Sequence, residues 1–176
     1  MASPLNHTPG VDLHTYEPRD LEDMSARQAV DAVTADIRDH PITVDSTGLF
    51  TATRHIDLLC HLAARMAADV EYQLASNIAD LPPAETLGAS TGHLGRAVAH
   101  YTQALAPLIT LTTTAQDTLQ QKLDSLDHHS RLRIHLDDAD RALTAARTAL
   151  EVPRPPAASN GPAPAPVHAP AVRRRA

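Results

Sequence analysis

From Leu94 onward one set of residues recurs at alternating steps of four and three: Leu94, Val98, Tyr101, Leu105, Leu108, Thr112, Ala115, Leu119, Lys122 and Leu126. Only a helix brings such positions onto one face. A repeat averaging 3.5 residues makes that face drift slowly, so helices bearing it pack with a left-handed crossing, as in bundles and coiled coils. A flanking row at every seventh residue, Ala97, Ala104, Leu111 and Thr118, widens the seam. A chain built on this repeat has little room for strands, and between residues 18 and 151 no segment shows strand alternation.

The rest of the body follows the same period. A first helix is expected over 18–39, opened by Pro18 with Asp20, Glu22 and Asp23 at its positive end, striped by Ala26, Val30, Val33 and Ile37, and ended by His40-Pro41. A second is expected over 47–80, with Asp45, Ser46 and Thr47 as capping candidates. Its stripe is Leu49, Ala52, Ile56, Leu59, Ala63, Met66, Val70, Leu74 and Ile78, and Pro82-Pro83 closes it. The seam helix begins near Pro83, is expected to break between Gly88 and Gly92, and runs to Leu126 with a kink at Pro107. The threonines that follow Pro107 can bond back to preceding carbonyls. A turn over 127–129 leads to a fourth helix over 130–151, striped by Leu132, Leu136, Ala139, Leu143, Ala146 and Leu150. Asp137 and Arg141 on it form an i,i+4 pair that belongs to a solvated face. The fold class expected is therefore all-α: an elongated antiparallel bundle of three long helices and a shorter N-terminal one, with coiled-coil-like packing.

Composition bounds the flanks and excludes whole classes of function. Residues 1–17 mix Pro, Gly, His and Thr without period and read as a flexible arm. Residues 152–176 hold seven of the 14 prolines and no acid, and read as a disordered, extended tail ending in Arg173, Arg174 and Arg175. Residues 1–151 carry 11 basic and 21 acidic side chains, a charge of −10, which repels phosphate and makes nucleic acid a poor partner for the body. The single cysteine, Cys60, admits no disulfide within one chain, and a small buried thiol is its expected role. Arginine outnumbers lysine 14 to one amid abundant alanine and proline, the composition of a GC-rich bacterial genome rather than a chemical signal. No secretory leader opens the chain, so a cytoplasmic location is expected.

Chemistry-bearing motifs are scarce. GxGxxG, HExxH and a P-loop are missing, and the letters GxSxG at Gly88 to Gly92 have no strand before them, so no cofactor and no catalytic residue is assigned. The Gly88–Gly95 segment lacks the strand and lysine of a phosphate cradle. Eleven histidines invite a metal reading. Asp57/His61 and Asp124/His128 have i,i+4 spacing, and His61, His100, His128 and His129 are the residues that would converge from different helices on a metal.

One feature favours a different function. From Ala97 to Gln116 no side chain is charged, counting histidine as neutral. The stretch has the length of a membrane span but is too polar for lipid, with His100, Thr102, Gln103 and Pro107 within it. A helix in a small bundle ordinarily keeps a charged outer face. Its absence leads to the expectation of a partner interface at Tyr101, Leu105, Leu108 and Leu111, in a non-enzymatic interaction module that forms a homo-oligomer or docks a helical protein partner. The alternative is a small metal-binding bundle protein or enzyme.

Overall fold

The computed structural model describes residues 16–76, 81–114 and 118–151. Every regular element among them is helical: a 3-10 turn at Pro18–Leu21, then α1 (Ala26–Asp39), α2 (Ser46–Ser76), α3 (Ala84–Thr113) and α4 (Leu119–Glu151). Packing runs around the ring α1–α2, α2–α3, α3–α4 and α4–α1, the expected all-α bundle with a short first helix. Its helices bury a larger core, in which Val30, Leu59, Leu62, Met66, Leu94 and Leu143 lose nearly all contact with solvent, and a smaller one around Ala52, Leu108 and Leu132.

Local chemistry sets the boundaries, and several differ from the expected ones. The first helix begins at Ala26 rather than at Pro18. Ser25 accepts a bond from the Gln28 amide at 3.4 Å, and its own amide donates to Gln28 Oε1 at 3.0 Å, which closes a capping box. Pro18 heads the separate 3-10 turn instead. Ahead of α2, Asp45 Oδ1 accepts from the Gly48 amide at 2.8 Å, as its capping chemistry predicts. The backbone of residue 43 crosses directly over Gly48, so a Cβ there would lie 1.7 Å from the Thr43 carbonyl oxygen. The expected end of this helix, including Ile78, lies outside the described residues.

No break interrupts α3. It continues through Gly88, Gly92, Gly95 and Pro107. A helical glycine costs about 1 kcal/mol relative to alanine, whereas each buried leucine contributes about 1.5–3 kcal/mol. Leu87, Leu94 and Leu108 are fully buried along this span, so tertiary burial outweighs the local cost. The three glycines sit on the outer face with open space around them.

The turn expected over 127–129 is inside α4. The hairpin between α3 and α4 lies between Thr113 and Leu119 instead. Thr118 and Gln121 mark the true start: the Thr118 amide donates to Gln121 Oε1 at 2.8 Å, and the Gln121 amide donates to Thr118 Oγ1 at 3.2 Å. The alternating repeat therefore spans two helices. Up to Leu111 it is an inward seam, and from Leu119 it continues on another helix and another face. Residues 115–117 lie outside the described residues.

Register follows from a few contacts. Ser90 Oγ donates to the Ala146 carbonyl at 3.0 Å and lies 4.0 Å from Met66 Sδ, and His55 meets Tyr101. Both neighbours of α3 thus run antiparallel to it. At one end α1 completes a four-membered ring and pairs with α4 through Arg27–Glu151 at 3.2 Å, Arg147–Asp31 at 2.6 Å and Arg38–Asp140 at 3.6 Å. Toward the other end, among the described residues, the 40–45 link takes its place, with Ile42 packed on both clusters. The 3-10 turn is strapped across α2: Arg65 donates to the carbonyls of Leu21 and Met24, and Arg54 donates to that of Tyr16 at 3.1 Å and binds Glu17 at 2.9 Å. Tyr16 and Glu17 are therefore held, contrary to a loose arm through residue 17. Residues 1–15 and the tail at 152–176 lie outside the described residues.

Candidate functional site

The four residues expected to meet a partner are turned toward the chain itself. Tyr101, Leu108 and Leu111 are buried, and Leu105 is half-buried against the same core. Tyr101 meets the ring of His55 edge-on, with centroids 5.5 Å apart and planes at 86°. Burial, and then the charge of Asp140, push the Tyr101 phenol above its usual range. The intramolecular core of α2, α3 and α4 occupies this face, so the interface cannot lie there. The uncharged stretch still leaves an open outer side on α3, lined by Ala99, Thr102, Gln103 and Ala106 with Ile109 as its one large apolar side chain.

The histidines do not converge. His100 Nδ1 lies 3.9 Å from Asp138 Oδ2, and its ring centroid is 6.2 Å from that of His135. Along the bundle, His61 is six residues from the His55–Tyr101 level, and His128 lines a cavity with Leu111, ten residues from Tyr101. At 1.5 Å per residue these are offsets of about 9 Å and about 15 Å in opposite directions, against metal–ligand bonds near 2 Å. His129 is exposed. The four-histidine set is thus not brought together, and among the described residues no group of three His, Cys, Asp or Glu is placed to hold a metal ion. Arg54 Nη1 holds Asp57 at 2.8 Å, away from His61. Asp124 and His128 do share one small cavity of about 120 Å³ at the α3–α4 hairpin, with Thr110, Leu111 and Ser125. Cys60 is exposed rather than buried, because the inward face of α2 passes through Leu58, Leu59 and Leu62.

What the sequence reading missed is the far side of α4. Leu119 is 76% exposed, Leu123 53%, Leu126 66% and Ile134 51%. At 100° per residue these four positions fall on one stripe, with Ser130 among them. The residues turned inward, Ser125, Leu132, Ala139 and Ala146, lie on the opposite side. The first half of α4 is therefore apolar on two faces, one filled by α3 and one open. The signal is present in the 4-3 repeat itself, but a turn placed at 127–129 assigns Leu119 and Leu126 to an inward seam.

No described helix is long and apolar enough to cross a membrane. No family model, curated protein or solved structure matches this chain.

Proposed function

We propose that the chain is a non-enzymatic helical interaction module that self-associates or docks a partner helix. The observation that carries this reading is the open stripe Leu119, Leu123, Leu126 and Ile134 on α4. Single exposed apolar residues are ordinary on protein surfaces, but a contiguous row in helical register is the pattern by which an amphipathic helix is recognised. The paired helices α3 and α4 present that row, and no described segment covers it. The shortness of α1 adds to it, since no described helix of the chain's own covers this face of α4.

The test is amide hydrogen exchange of the full chain over 119–134, read together with sedimentation velocity from low to high micromolar concentration. Exchange that slows as a discrete larger species forms, or as a stoichiometric helical partner is added, supports the reading. A monomer whose stripe exchanges identically at every concentration, and beside amphipathic helical peptides of either charge, overturns it.

A further inference from the structure

The charges along the open stripe of α4 sort by position. Lys122 and Asp127 precede Ser130, and Arg131 and Arg133 follow it, flanking the stripe on either side, while Asp137 lies on the line of the stripe itself, beyond Ile134. We propose that this stripe pairs antiparallel with the same stripe of a second copy of the chain, about a two-fold axis near His129 and Ser130. The proposal rests on the interaction-module reading and names its partner.

Geometry and charge agree on the arrangement. A two-fold axis normal to a pair of antiparallel helices sets like flanks face to face. Asp127 and Arg131 share one flank of the stripe, and Lys122 and Arg133 lie on the other. With the axis near residue 129, Asp127 of one copy meets Arg131 of the other, Lys122 meets Asp137, and Leu123 meets Ile134, each twice by symmetry. Within one copy Asp127 and Arg131 are 3.8 Å apart, and both stay more than half exposed, so neither is committed. Ser130 at the centre lets the helices approach closely, and Arg133 can lay its stem along Leu126. Leu119 to Ile134 spans about 22 Å of helix. One such row on each copy falls at the low end of specific interfaces, below about 1,200 Å² in total, so the dimer dissociates on dilution.

Sedimentation equilibrium of the full chain tests this, with circular dichroism confirming that each variant is folded. Leu126→Glu is expected to weaken the dimer about a hundredfold or more, because two buried leucines are replaced by two charges. Ala106→Glu, on the outer face of α3, is expected to leave it unchanged. Asp127→Arg is expected to weaken it several-fold, and Asp127→Arg with Arg131→Asp to restore it. Orientation is read in a Cys60→Ser background by mixing chains carrying Leu123→Cys with chains carrying Ile134→Cys. A disulfide between the two kinds of chain supports the antiparallel pair, and self-cross-linking of each kind alone overturns it. Dissociation by Ala106→Glu and not by Leu126→Glu sinks the proposal while self-association stands. A wild-type chain that stays monomeric at high micromolar concentration also sinks it, and leaves only docking of a different helix under the broader reading.

Discussion

Asp45 and Gly48 fix the entry to α2, and each does so in a way that can be measured. The Gly48 amide, and then the Thr43 hydroxyl, hold the Asp45 carboxyl below its usual range. The folded state therefore releases this proton more readily than the unfolded chain, and the stabilisation is full above the unfolded value near 4. It fades as pH falls through the lower folded value. Asp45→Ala is expected to lower the melting temperature at neutral pH, with the gap to wild type closing under acid. A gap independent of pH would show that the carboxylate charge is irrelevant to the cap. At Gly48 the obstacle is steric, because a methyl group would strike the Thr43 carbonyl. Gly48→Ala is expected to cost about 1–3 kcal/mol in chemical denaturation. Leu108, fully buried, should cost about 2–5 kcal/mol on truncation to alanine. That variant should sediment as wild type does, since Leu108 faces inward. Leu108 and Leu126 thus separate stability from association.

Among the elements, α3 offers a contrast with Gly48. Gly92 and Gly95 lie mid-helix, and a methyl group added at either would have nothing within 4 Å, so alanine fits there without strain. Gly92→Ala is expected to raise stability by about 0.5–1 kcal/mol in urea titration. A loss instead would mean that the outer face of α3 is in contact with another surface. The inward stripes of α1 and α4 are legible from period alone, because Val30, Val33, Leu132 and Leu143 are large and apolar. On α2 the inward row includes His55 and Gln73, both buried, and polar side chains hide half of its spacing. The α3–α4 boundary escapes a periodic reading because the repeat keeps its phase across the hairpin. Its only local mark, Thr118 with Gln121, is a three-residue spacing that such a reading passes over. The expected interface has another origin: an uncharged helix suggests an outside partner, whereas Tyr101, Leu108 and Leu111 are already buried within the chain. Which face a stripe turns inward is a tertiary fact, set by where the chain reverses.

Across the whole molecule, the joint between α1 and α4 combines two kinds of contact of unequal weight. Its three inter-helix ion pairs are about half exposed, and such pairs contribute about 0–1 kcal/mol each. The fully buried Ala29, Val30 and Val33 hold the helix in place. Raising salt to screen the pairs is therefore expected to change the melting temperature little, while Val30→Ala is expected to cost about 1–2 kcal/mol. A large salt effect would reverse that ranking. The joint also orders events in time. Arg27 and Glu151, which it brings together, stand 124 residues apart, whereas α3 and α4 meet across a short hairpin. Contacts close in sequence form early, and those that close long loops form late. During synthesis α1 emerges first and meets α2, yet it must wait for the last turn of α4 before its valines are fully enclosed. The same helix should be the first to detach from the folded molecule, opening the bundle from its four-helix end while the hairpin stays intact.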